Sequence, residues 1–164
     1  MLHPVGQSHN GIAVNVNLIQ TDIAKQISWQ PHLLIFVREA LARASLRGER
    51  VVIERDMGRA IGYSFVVPTT DASKVFYVKL LRDDVYTRFV RDVAPVSTQF
   101  LTLTLGRSAD GSYELSSIAV GKAVPPRPGS PDETDQSRPF WAEHAYVFDK
   151  QSVQAQSLTK ECPY

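Results

Sequence analysis

The sequence has very little cysteine. A single thiol, Cys162, in 164 residues rules out an intramolecular disulfide framework. Long hydrophobic runs are missing as well. No stretch reaches the eighteen apolar residues of a membrane-spanning helix, and the opening MLHPVGQSHN lacks the charged region and apolar run of a signal peptide. The expectation is a cytoplasmic protein with no membrane partner. Charge of one sign is also lacking. Lys and Arg number 18 against 17 Asp and Glu, for a net +1, so no global field draws the chain to nucleic acid. A local basic groove stays open. There is no phosphate-cradling glycine loop, zinc-type Cys/His spacing or nucleophile elbow. The four histidines, at 3, 9, 32 and 144, offer no pair at ligand spacing, so no metal site and no cofactor are expected.

What is present is an ordinary globular composition, 43% hydrophobic and 21% charged, at a length suited to one domain. Residues 1–164 are therefore read as a single domain, with 1–11 as a flexible polar arm. Ile12–Leu18 alternates like a short strand, and a helix starting at Thr21 competes with it. From Pro31, Leu33, Leu34, Val37, Leu41 and Ala44 recur at helical spacing up to Gly48, which marks a helix stop. The pattern then turns to β. In KVFYVKLLR, Phe76 and Val78 alternate with Tyr77 and Lys79. A turn at Asp83 and Asp84 leads into VYTRFVRD. Leu101, Leu103 and Leu105 alternate with Thr102 and Thr104, and Asp110-Gly111 makes a hairpin turn. A proline-rich loop, 123–136, precedes a short helix with Pro139 in its first turn, and AYVFD reads as a last strand. The fold class is α+β, with one or two N-terminal helices packed on an antiparallel sheet of about five to seven strands.

Chemistry would come from polar residues meeting on one sheet face. Lys79 shares its face with Tyr77, Arg88 shares its face with Tyr86, and Thr102 and Thr104 line the face away from the leucines. His144 follows Phe140 by four residues and Trp141 by three, so on a helix it shares their surface. It is either a proton-moving group at a cleft or a hydrogen-bonded core histidine. Residues 74–107 carry six Lys/Arg against three Asp, and 108–137 carry two against five acidic residues, so the basic segment coincides with the Lys79/Arg88 face.

The elements YTRFV, GSYEL, PRPG and SRPFWAEHA, spread over about residues 58–164, resemble a group of small bacterial proteins without an established activity. In layout and residue type, the second half also resembles the ribonuclease toxins of the barnase, colicin and RelE-like superfamily. That resemblance implies a metal-independent endoribonuclease. His144, Arg88 and Thr102 would be catalytic, Lys79, Tyr86 and Thr104 would bind substrate, RNA would be the partner, and an inhibitor or immunity-type protein would hold the enzyme in check. Two other readings stand beside it. One is a non-catalytic module whose VPPRPGSPD loop and Phe140-Trp141 helix bind a protein. The other is a small-ligand pocket between helix and sheet.

Overall fold

The computed structural model describes residues 2–19, 22–80, 85–148 and 155–164. In chain order the elements begin with strands β1 (Leu2–Gln7) and β2 (Ala13–Asn17). Helices α1 (Asp22–Trp29) and α2 (Leu33–Ala42) follow, then β3 (Arg50–Asp56), β4 (Gly62–Ser64) and β5 (Val66–Pro68). Next come β6 (Lys74–Leu80), β7 (Tyr86–Arg91), β8 (Val96–Thr98), β9 (Phe100–Arg107) and β10 (Tyr113–Val120). The chain closes with α3 (Ser137–Glu143), β11 (His144–Val147) and β12 (Ala155–Thr159).

The α+β class stands, but the single sheet does not. Two five-stranded sheets form, together with a two-stranded ribbon of β4 and β8. The strands are not all antiparallel, because β10 runs parallel to β2 and β11 parallel to β7. Where one domain was expected, the chain divides into two compact units, residues 1–62 with 97–123 and residues 63–96 with 124–164.

The first unit carries the sheet β1-β2-β10-β9-β3 with α1 and α2. Its core follows from two periodicities. On β9, Leu101, Leu103 and Leu105 fall at every second place and are fully buried, the pleat sending them to one face. On α2, Leu33, Val37, Ala40 and Leu41 form an i, i+4, i+7, i+8 stripe, also fully buried. A bulge between Leu115 and Ser117 of β10 lets Ile118, three residues after Leu115, return to the core side.

Two expectations are corrected in this unit. Residues 2–7 are not a loose arm. They pair antiparallel with β2 and bury Val5, and Pro4 is tolerated because β1 is an edge strand. The second helix also stops at Ala42, well short of Gly48. Beyond it Ala44 and Leu46 are buried with Ser45 exposed between them, a period of two. Asn10 Nδ2 donates to Leu46 O (3.0 Å) while Leu46 N–H donates to Asn10 Oδ1 (3.1 Å), so a side chain bonds the backbone as a neighbouring strand would. The helix foreseen at Thr21 is observed from Asp22, and Thr21 itself lies outside the described residues.

The second unit carries the sheet β12-β6-β7-β11-β5 with α3. The turn expected at Asp83 and Asp84 lies outside the described residues. Around it, β6 and β7 pair as foreseen, with Tyr77 opposite Arg88 and Lys79 opposite Tyr86. Directly opposed residues share a face, so these four do. The other face buries Phe76, Val78 and Phe89, with Phe148 edge-on to Phe76 at 4.9 Å. Buried Trp141 stacks on Tyr146 at 5.0 Å. The proline-rich loop is anchored at three points. Trp141 Nε1 donates to Pro125 O (3.1 Å), Arg127 Nη1 donates to buried Thr87 Oγ1 (2.6 Å), and Pro128 is buried. Among the described residues, no helix is long and apolar enough to cross a membrane.

Candidate functional site

Of the six residues picked from sequence, the second unit holds four, of which Arg88 and His144 line one cleft, and the first unit holds the other two. Thr102 and Thr104 sit on β9 of the first unit. Thr102 is buried, and its hydroxyl donates to Gly121 O at 2.9 Å, tying β9 to the turn after β10. Thr104 is half-buried on the same face, beside Gly106. Lys79, Tyr86, Arg88 and His144 all belong to the second unit.

Arg88 and His144 line an open cleft of about 370 Å³, together with Pro68, Thr69, Thr70, Asp71, Ala142 and Glu143. Three segments build it. The loop after β5 is folded back by Thr70 N–H donating to Ser73 Oγ (2.8 Å) and Ser73 N–H donating to Thr70 O (3.0 Å). This turn presents Asp71 outward. Thr69 N–H donates to Glu143 O (2.8 Å), which closes the loop onto the end of α3. From β7, Arg88 Nη1 donates to both Trp141 O (2.6 Å) and His144 O (3.1 Å). Carbonyls at a helix C-terminus lack intrahelical donors and carry partial negative charge, and the guanidinium satisfies two of them where α3 gives way to β11. Its Nε is buried with no partner among the described residues. Arg88 therefore holds the junction in shape and does not point freely at a substrate.

His144 is not on the helix. Its φ of −134° and ψ of 153° make it the first strand residue, yet the expected i, i+4 contact survives. The imidazole stacks on Phe140 with centroids 4.1 Å apart and planes within 1°. Nδ1 lies 3.0 Å from Phe140 O. A carbonyl oxygen only accepts, so Nδ1 carries the proton and Nε2 keeps its lone pair in the neutral ring. Trp141 is the core residue of this helix, and His144 is half-buried at the cleft. The acceptors around it are the carboxylates of exposed Asp71 and Glu143.

On the Tyr77/Arg88 face, the phenol of Tyr77 is pushed up, first by burial and then by a hydrogen bond with Cys162, while the nearby Arg88 charge opposes the shift. The Tyr164 ring meets Tyr77 edge-on at 5.7 Å, and burial pushes its phenol up to about 12. Among the described residues, no group of three His, Cys, Asp or Glu is placed to hold a metal ion.

Sequence reasoning missed Asp71, Glu143 and the two threonines. The signal available was TTDAS, a cluster of turn-forming residues right after a proline-terminated strand. Compared with known protein-family profiles, curated proteins and solved structures, the chain matches none.

Proposed function

We propose that the protein is a non-catalytic recognition module whose second unit accepts a cationic hydrogen-bond donor, a primary ammonium or a guanidinium group, in the cleft at the end of α3. The observation that carries this reading is the fixed imidazole of His144. Its Nδ1–H is engaged by Phe140 O, which leaves Nε2 as an acceptor in the neutral ring, and Asp71 and Glu143 line the same cleft. A cleft lined by two carboxylate residues and an imidazole favours a ligand rich in N–H donors. The Arg88 charge beneath them is engaged by two backbone carbonyls.

The runner-up is the metal-independent ribonuclease, with RNA and an inhibitor protein as partners. It is favoured by one observation, an imidazole with an open nitrogen beside an arginine. It is weakened because Arg88 already bonds the α3 carbonyls and Thr102 donates to Gly121 O. The Nη1 group that would hold the phosphate is thereby engaged, and Thr102 lies on β9 of the first unit.

Titration of the labelled protein with butylammonium and methylguanidinium, followed by amide NMR, tests the proposal. Saturable shifts at Asp71, Glu143 and His144 are expected. Asp71→Asn and Glu143→Gln should each weaken binding about two- to fivefold, the scale of an exposed charge pair. Incubation with mixed RNA without metal should leave the RNA intact. RNA cleavage that disappears in a folded His144→Ala variant would overturn the module in favour of the nuclease.

A further inference from the structure

An open cleft lies in the first unit, on the sheet face opposite the helices. At its centre is Gly106 of β9. Arg50 of β3 pairs with Gly106 on one side and Glu114 of β10 pairs with it on the other. Residues directly opposite across strands share a face, so Arg50 and Glu114 stand on either side of a position that has no side chain. Their Cα atoms are two strand spacings apart, about 10 Å. No ion pair joins them among the described residues. The result is an open cleft of about 370 Å³, to which Thr104, Arg107 and Ser116 also contribute. It lies at the far end of β3, β9 and β10 from Gly62, Ser97 and Ala123, where the chain leaves and re-enters this unit.

The geometry points to a binding site for a small zwitterion, a molecule of α-amino-acid type. Its carboxylate would meet the guanidinium group of Arg50, and its ammonium would meet Glu114. A guanidinium presents paired donors that match a carboxylate, and a carboxylate at the opposite wall is the complement of an ammonium. The hydroxyl of Thr104, on the same strand face, lines the floor, while Ser116 Oγ is directed to Thr104 O at 3.1 Å. Gly106 is the feature that makes room. A Cβ placed there would meet no heavy atom within 4 Å, and its backbone φ lies outside the left-handed range. Glycine is therefore required here neither by packing nor by conformation, and its cost in a strand interior is offset by the space it leaves.

The same properties give a clean test. Gly106→Val should fold, because valine suits a strand and the space is empty, and it should fill the cleft. The labelled full chain is titrated with L-serine, with acetate and with ethylammonium, reading the amide signals of Thr104, Gly106 and Ser116. L-Serine is expected to shift these signals saturably and to bind at least tenfold more tightly than either half-molecule. Gly106→Val should abolish the response, and Arg50→Gln and Glu114→Gln should each weaken it at least fivefold. Absence of a shift with L-serine, acetate binding as tightly as L-serine, or undiminished binding by Gly106→Val would each overturn the assignment.

Discussion

The two units solve the same problem with different materials. The first buries a continuous aliphatic core, in which Leu33, Val37, Leu41, Leu101, Leu103, Leu105 and Val14 are all fully buried under two helices. The second has two small buried clusters, Val67, Val90 and Ala145 in one and Phe76, Val78 and Phe89 in the other. It supplements them with stacked rings and with long polar side chains that reach backbone or hydroxyl oxygens: Arg88 to Trp141 O and His144 O, Arg127 to Thr87, and Trp141 to Pro125 O. A leucine core is non-directional and tolerates repacking. A frame of directed hydrogen bonds is not so tolerant, since removing one partner leaves a desolvated group unsatisfied. It also leaves polar groups near the surface in fixed positions, which is what a recognition site requires.

This contrast is open to direct attack. The largest effect is expected from Leu103→Ala, which empties a fully buried position on β9 and should cost about 2–5 kcal/mol. Hydrogen exchange should show the loss first in β3, β9 and β10. Arg88→Ala should come next, at about 2–4 kcal/mol for two charge-assisted bonds to backbone carbonyls, with fast exchange at the α3–β11 junction. Arg88→Lys should restore little of it, because one ammonium does not reproduce a guanidinium fork. Trp141→Phe keeps a ring at the Tyr146 contact but removes the indole donor to Pro125 O and some buried ring volume. Denaturant midpoints should report about 1–2 kcal/mol. His144→Ala should change stability least of these, since the ring is half-buried and packs on Phe140.

The smallest effect is a pH effect at the Tyr77–Tyr164 contact. The Tyr164 phenol is raised by burial to about 12. A raised acid favours the folded state while it is neutral, so this contribution is present below the ordinary phenol value near 10. It fades as pH climbs through about 12. Tyrosinate absorbance should show late-titrating tyrosine that is diminished in Tyr164→Phe.

How much of this was legible beforehand follows from which signals are local. The β9 leucine ladder, the β9–β10 turn at Asp110-Gly111 and the pairing of Lys79 and Tyr77 with Tyr86 and Arg88 are short-range patterns, and they read correctly. The division into two units was not legible, because the chain enters the second unit between β3 and β9, which are neighbours in one sheet. Both flanks of that insertion read as ordinary strands. The same blindness placed Thr102 and Arg88 on one imagined face. β1 was hidden because polar Leu2–Gln7, with its proline, looks like an arm unless the edge it occupies is known. The site was half visible. His144 was singled out by its spacing from Phe140, but Asp71 comes to its cleft on a loop that the Thr69 N–H bond to Glu143 O closes onto the end of α3, a contact across 74 residues that no local pattern encodes.

The chemistry of the second unit's cleft turns on the state of one imidazole, that of His144. A long-range proton–nitrogen NMR spectrum of the His144 side chain, recorded before and after addition of butylammonium, tests it most directly. The predicted result is a proton on Nδ1, held by Phe140 O, and an Nε2 signal that moves on binding, while the other histidines stay still. A proton resident on Nε2, or an Nε2 signal indifferent to the ligand, would contradict the reading of this cleft as a recognition site.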